Sequence, residues 1–459
     1  MRGQAGIVAA VAALVATSSA TAAPRPRVHN AAVAAVNRAV AAVAIDRKTA
    51  ARDTAEIARA EHLIHRLPSG RREHVAVALD QIASFPGRLT GPRAVALFGQ
   101  LRANNDYFAR HSAPAARTDI TDADGVVYRY FAGRCFEFHP LAEFAALNTR
   151  ATAGDVRGTK RLARALIARG VGQSGGIGWE YYFAFGGGRA PWLSGMAQAV
   201  ATQAFTRAAT LLPAQQAMLL RAAQSAYRPI PGRLTMNVAG GPWVRLYAFD
   251  STPVLNAQLQ AVVSLRGYAA MSHDAAAAML AGRLENAAAA MLPRFDTGYW
   301  TYYALPRRLS TLHYQNYVVR LLTKLSAADR RFAGAAMRFA SYRRQPPAIR
   351  LAEAGIGELR FWLSKPATAT FHSGAGPAKR LWLGDGWHTL AWNRPTRGGV
   401  YPIAASAVDL AGNRASFEAL PIVRVAGRAH GQTTRTRGVT ANERPALDDP
   451  GQEIGRAHV

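Results

Sequence analysis

The chain has 459 residues, a formal net charge of +28 and one cysteine, Cys135. That length allows two or three domains with sizeable cores, and a single thiol excludes an intramolecular disulfide. Of the 56 basic residues only Lys48, Lys160, Lys324, Lys365 and Lys379 are lysines, and the arginines are scattered, which excludes a basic stripe for nucleic acid.

Residues 1–23 read as a secretory signal. Arg2 supplies the positive start, "GIVAAVAALVA" is a short apolar run, and Ala20-Thr21-Ala22 offers a small-residue cleavage site. No later stretch is long and apolar enough to span a membrane, so the mature chain is expected to be exported and to carry no transmembrane segment. Two readings of the arginine excess stand side by side: pairing with carboxylate, sulfate or phosphate, and a coding bias toward Arg and Ala.

Residues 24–115 form an N-terminal helical region. Its first long pattern runs unbroken from "VHNAAV" to "LIHRL", where "LPSG" ends it, and two further helices follow. "TDITDADGVVYRYFAGRCFEFHP" then favours strand. Asp122, Asp124 and Gly125 mark a hairpin turn, because their spacing does not fit a calcium loop. Cys135 sits among apolar neighbours and reads as a buried filler.

From 140 to 345 amphipathic helices alternate with Gly/Pro-rich aromatic loops. The fold class expected is mainly α, an incomplete (α/α) toroid or barrel with a short β-hairpin region and a cleft at one end. Pro191 suits a first helical turn, with Trp192 and Met196 on one face of that helix. No internal repeat is visible. Over 348–426 short alternating runs predict an antiparallel β-sandwich, and "AVDLAGN" resembles immunoglobulin-like appendages of secreted bacterial enzymes. Residues 427–459 are polar and without periodicity, as in a disordered tail.

Standard catalytic signatures such as HExxH, a Walker loop or GxSxG do not occur. Four ordered stretches carry a different signal: "PWLSGMAQAVATQAFTRAA", "GGPWVRLYAFDSTPVLNAQLQAVVSLRGY", "AMLPRFDTGYWTYYAL" and "LHYQNYVVRLLTKL". They resemble, in order, the "SAMAQGQ" helix, the catalytic-tyrosine loop with its "VLNG" helix, "MLPLYDTGSGTIYDL" and "YHTTHINQLQLL" of the D-glucuronyl C5-epimerase C-terminal domain. The resemblance covers roughly residues 125–345, so 116–347 is read as that domain.

The resemblance implies inversion of C5 in glucuronate residues of an acidic polysaccharide, without a redox cofactor; no metal site is expected. Such chemistry needs one group to take a proton, another to return it on the opposite face, and donors for the charge that builds on the carboxylate. Carried over by motif, Tyr247 and Tyr303 fall on catalytic tyrosines. The fourth motif places His313 at the catalytic tyrosine without a gap, and Tyr314 there with a one-residue shift. Gln198 and Asn256 match positions that contact sugar or brace the cleft, Trp192 and Arg245 flank them, and Arg307 or Arg308 is expected to clamp the carboxylate. Tyr299, Tyr302 and Tyr317 are read as packed aromatics.

One departure weighs on this reading. Leu246 stands where the family has glutamate before the catalytic tyrosine. A polysaccharide lyase or hydrolase of the α/α-toroid type, and a non-catalytic acidic-glycan-binding protein, therefore remain the alternatives.

Overall fold

The computed structural model describes residues 25–354, 358–373, 378–391, 399–401, 403–417 and 423–425. The expected signal peptide and polar tail lie outside them. Among the described residues no helix is long and apolar enough to cross a membrane.

The first four helices are α1 (Arg25–Ala41), α2 (Arg47–Arg66), α3 (Ser69–Ala83) and α4 (Gly91–Phe108). The long alanine-rich pattern is thus two helices rather than one. Val43 adopts a left-handed φ of 56° and Asp46 then caps α2 by accepting a hydrogen bond from Thr49 N, so a local cap overrides the continuous apolar spacing.

Next comes the hairpin sheet β1 (Asp119–Thr121), β2 (Val127–Tyr130) and β3 (Phe136–Phe138). Asp122 Oδ1 accepts from the backbone N–H groups of Asp124 and Val126, forming the turn expected from sequence. Helix α4 holds this sheet through Asn104, whose amide bonds both backbone groups of Phe136, and through Gln100, which accepts from Phe138 N.

Eight helices and three short hairpins follow. They are α5 (Pro140–Thr152), α6 (Val156–Ile167), β4 (Val171–Gln173), β5 (Gly176–Gly178), α7 (Gly195–Leu211) and α8 (Gln216–Tyr227). Then come β6 (Thr235–Val238), β7 (Gly241–Val244), α9 (Leu255–Ser272), α10 (Ala275–Met291), β8 (Tyr302–Ala304), β9 (Arg308–Leu309), α11 (Leu312–Ser326) and α12 (Ala333–Tyr342). Helices α5, α7, α9 and α11 pack side by side, and α6, α8, α10 and α12 cover them. The inner helices are apolar or small nearly all round: in α7 every residue from Gly195 to Ala209 except Arg207 is buried. Outer α6 is one-sided, burying Leu162, Ala163 and Leu166 while its Arg157, Lys160, Arg161 and Arg164 face water.

Helix α7 starts later than its sequence suggested. Ser194 is its N-cap, accepting from Ala197 N, while Trp192 lies before the helix in a strand-like bridge to Tyr181. The serine cap outcompetes Pro191 as the starting signal.

The hairpin, inner helix and outer helix recur four times, and one side chain marks each unit. The fourth residue of each inner helix is Glu143, Gln198, Gln258 or Gln315. Gln198 accepts from Trp179 N and donates to Ile177 O and Ala226 O. Gln258 accepts from Val244 N and donates to Pro242 O and Leu284 O. Gln315 accepts from the Thr301 hydroxyl and donates to Phe339 O. Glu143 accepts from Val127 N with both carboxylate oxygens. Each therefore ties an inner helix to the strand segment before it, and the three glutamines also reach the outer helix behind.

Beyond α12 the described residues form strands: β10 (Ile349–Ala354), β11 (Glu358–Leu363), β12 (Ala367–Ser373), β13 (Lys379–Leu383) and β14 (Gly386–Ala391). β15 (Gly399–Tyr401), β16 (Ile403–Asp409), β17 (Arg414–Phe417) and β18 (Val423–Val425) complete it. One antiparallel sheet has the order β10-β11-β14 and another β13-β12-β16-β17. Phe361 from the first and Phe371 from the second meet at 4.7 Å inside a separate apolar core. Lys365 pins these strands to the helices. It is fully buried, pairs with Asp409 at 2.9 Å, and donates to Tyr342 O and Gln345 O at the end of α12.

Candidate functional site

The inner helices run parallel, as contacts at matching heights show. Asn256 and Met196, each the second residue of its helix, touch at 3.9 Å; Tyr317 donates to Gln260 at 2.7 Å; Gln203 meets both Asn148 and Ser264. Their N-termini therefore open at one end, where four partial positive charges favour an anion. His139, Trp192, Tyr247, Asn256, His313 and Tyr314 lie in the caps, loops or first helical turns at this end, and Tyr303 lies in the hairpin strand β8.

Tyr303 and Tyr314 are a buried pair with ring centres 4.6 Å apart. Burial pushes the Tyr314 hydroxyl well above the ordinary phenol range and Tyr303 adds to the push, while the guanidiniums of Arg117 and Arg129 oppose it. His313 is half-buried with its ring edge-on to Tyr314 at 5.6 Å. Of the two registers of the fourth motif, the shifted one puts its tyrosine against Tyr303.

Arg129 is buried in β2 and forms a bidentate pair with Asp119, at 2.8 and 2.7 Å. Its charge acts on Tyr181 and His139 as well as on Tyr314. Arg117 is held in a left-handed conformation, φ 71°, that a non-glycine residue adopts at a cost. His139 caps α5 by accepting at Nδ1 from Ala142 N, which leaves the proton on Nε2, a buried atom with no hydrogen-bond partner. Burial and Arg129 keep this imidazole neutral.

An aromatic wall completes the opening. Trp192 stacks flat on Tyr181 at 4.1 Å, donates from Nε1 to Phe183 O, and meets Tyr247 edge-on at 5.6 Å. Tyr247 stacks in turn on Phe249, which is 38% exposed and gives the wall its accessible edge. The Tyr247 loop is stitched to the start of α7 by Ala248 N to Leu193 O and Gly195 N to Arg245 O. It touches the Tyr303 hairpin through the bridge between Val254 and Ala304. The two walls are thus adjoining segments.

The remaining expected residues fall into place differently. Gln198 spends its amide on backbone groups and braces the fold. Arg245 donates to Asp250 O and Ser251 Oγ, holding the Tyr247 loop in shape. Asn256 is fully buried and its Oδ1 has no hydrogen-bond partner, an unexplained polar atom at the mouth of α9.

Arg307 lies away from Tyr303. It lies exposed beyond β8, beside Tyr302 and Asp385, because strand alternation sends Tyr302 and Tyr303 to opposite faces of the hairpin. Arg308 is exposed in β9 opposite Ala304. The guanidiniums acting on Tyr314 are instead those of Arg117 and Arg129, which the sequence reading missed. The signal available was an arginine between two tyrosines in "VYRYF".

Leu246, standing where the family motif has glutamate, is buried, and the carboxylates considered as substitutes have partners of their own. Glu180 forms two 2.8 Å bonds to Arg93, and Asp250 accepts from Thr252. Asp296 is held by Tyr342 and Arg338. Cys135 is buried, and burial pushes its thiol up, as suits a filler.

The family described as D-glucuronyl C5-epimerase C-terminus matches residues 173–341, units two to four of the fourfold repeat. No curated protein matches the sequence significantly. Among solved structures, an endo-β-1,4-glucanase of Acetobacter xylinum is similar at 14% identity over 50% of this chain and 72% of that one, TM-score 0.32. A D-mannose isomerase aligns at 13% identity over 44% of this chain and 59% of its own, TM-score 0.34. A sugar epimerase from a ruminal bacterium aligns at 12% identity over 46% of this chain and 61% of its own, TM-score 0.33.

Proposed function

We propose that this chain, whose residues 173–341 match the D-glucuronyl C5-epimerase C-terminus family, inverts C5 of uronate residues in an acidic polysaccharide outside the cytoplasm. The family match supports a carbohydrate-modifying enzyme. The two rows of helices are read as an incomplete (α/α) toroid, the terminal sheets as an immunoglobulin-like β-sandwich, and residues 1–23 as the export signal.

One observation carries the reading: the buried Tyr303–Tyr314 pair with Arg117 and Arg129 acting on it, at the end where four helix N-termini open. C5–H is α to a carboxylate, so breaking it sends the electron pair into that carboxylate. Arg117, Arg129 and the helix N-termini are suited to hold the dianion. A phenolate takes the C5 proton and becomes a phenol. A phenol on the opposite face then gives its proton to C5 and becomes a phenolate. One C–H bond is broken and one is made, with no net oxidation.

Burial keeps Tyr314 a phenol, which fits the donor, and Tyr303 shares its face. Tyr247, on the adjoining wall, fits the acceptor. His313 is placed to exchange the Tyr314 proton with solvent.

The test is deuterium uptake. The protein is incubated with a glucuronate-containing polysaccharide in heavy water, and C5 is read by NMR. Exchange accompanied by iduronate supports the proposal. Exchange with an unsaturated product would mean a lyase. Binding without exchange would mean a glycan-binding protein that lost its base with Leu246.

A further inference from the structure

A second cleft, about 410 Å³, lies on the far face of the Tyr303 hairpin. The helical part lines it with Asp296, Tyr302 and Arg307, and the strands with Trp362, Ser364 and Asp385. The volume falls within the roughly 300–1,000 Å³ of small-molecule sites. Its walls do not depend on a flexible linker. Lys365, three residues from Trp362, is locked to Asp409 and to two carbonyls at the end of α12, and Asn413 donates to Arg343 O at 2.8 Å.

The chemistry is mixed in a particular way. Trp362 is a half-buried ring with Tyr299 edge-on at 5.6 Å and the Arg350 guanidinium 5.2 Å away. Burial pushes the Asp385 carboxyl up, and the Arg307 guanidinium, the residue's own backbone N–H and His388 only partly oppose this. The Arg307 guanidinium acts on both Tyr302 and Asp385, and it shares the cleft with two carboxylates, Asp385 and Asp296. Asp296 is already engaged by Arg338 and Tyr342. A planar indole, an acceptor carboxylate, a forked donor and a hydroxyl suit a ring with an apolar C–H face and polar hydroxyl edges. An apolar ligand would strand the Asp385 and Arg307 charges. A simple anion would leave the indole unused.

We propose that this cleft is a glycan subsite, shared between the helices and the strands, that holds a pyranose residue of the polysaccharide on the side of the hairpin opposite Tyr303. It rests on the reading that the chain acts on a polysaccharide, and it gives the terminal sheets a part in substrate binding. The hairpin β8–β9 then carries catalysis on one face and grip on the other.

The full chain, labelled with 5-fluorotryptophan, is titrated with a hexasaccharide alternating glucuronate and N-acetylglucosamine and followed by ¹⁹F NMR. Trp362→Phe and Trp192→Phe assign the two reporters. Both signals are expected to move. Movement of Trp192 with Trp362 still overturns the subsite and leaves the proposed function standing. Movement of Trp362 alone supports the subsite and removes the tyrosine cleft as the glycan site. Stillness of both overturns both. Asp385→Asn, which leaves the indole in place, is expected to weaken hexasaccharide binding about tenfold while disaccharide affinity holds. An unchanged hexasaccharide affinity in a normally folded variant overturns the subsite.

Discussion

At the scale of single residues, the site turns on which arginines reach the tyrosines. Tyr303 and Arg307 are near neighbours in sequence, but the turn after β8 carries Arg307 to the Tyr302 side of the hairpin, and Arg117 and Arg129 arrive from a different hairpin nearly two hundred residues earlier. Motif spacing could point to Tyr247, Tyr303 and the His313/Tyr314 pair because those residues sit inside matched segments. It did not point to the guanidiniums, since Arg117 precedes the resembling stretch and Arg129 falls in none of the four motifs. If they hold the developing dianion, Arg117→Gln should lower kcat about 10²- to 10³-fold with KM little changed. Tyr314→Phe should cost about 10²- to 10⁴-fold in kcat. Steady-state kinetics on the glucuronate polymer check both, with hexasaccharide affinity as the control. A fall in affinity equal to the fall in kcat would mean that these groups bind rather than catalyse.

At the scale of elements, helix pairs were readable from three- and four-residue apolar spacing, and hairpins from Gly, Pro and Asp punctuation. The fourfold repeat was not, because its units share one buried polar position while their loops differ in length. Gln258 shows what that position does. Gln258→Leu leaves Val244 N and Pro242 O without this partner and removes a second bond from the helical Leu284 O, and at about 1–3 kcal/mol per orphaned group the loss should be about 2 kcal/mol or more in urea denaturation. Glu143 occupies the same position with an ionisable group. Burial raises its carboxyl well above the ordinary carboxylate range despite Arg169 nearby. A raised folded-state pKa means stability that is present below about pH 4.5 and lost as pH climbs toward the folded value. Glu143→Gln should therefore match the parent Tm at pH 4 and exceed it progressively up to pH 8. A constant difference across that range would show that the carboxyl does not titrate with unfolding.

For the whole molecule, the change of pattern near residue 348 was plain, since alternating runs replace amphipathic helices there. How the strands meet the helices was hidden, because Lys365 in "LSKPAT" reads as an ordinary surface lysine at the start of a strand. It is instead fully buried, one of the few lysines in an arginine-rich chain. An ammonium has three donors on a flexible stem, and here they take one carboxylate and two helix-end carbonyls at once. Removing it leaves Asp409 buried beside an orphaned pair of carbonyls. Lys365→Met should therefore cost about 3–5 kcal/mol. The loss should fall on the joint first, since Asp409 also organises the turn to Asn413 that bonds Arg343 O. Hydrogen exchange would then show faster amides in β11, β12 and β16 while those of α7 and α9 stay protected. Hexasaccharide affinity should drop with the joint, because Trp362 and Asp385 would no longer be held against Tyr302 and Arg307. Unchanged exchange in the strands would mean that the apolar contacts between the two parts, and not this buried ion pair, set their alignment.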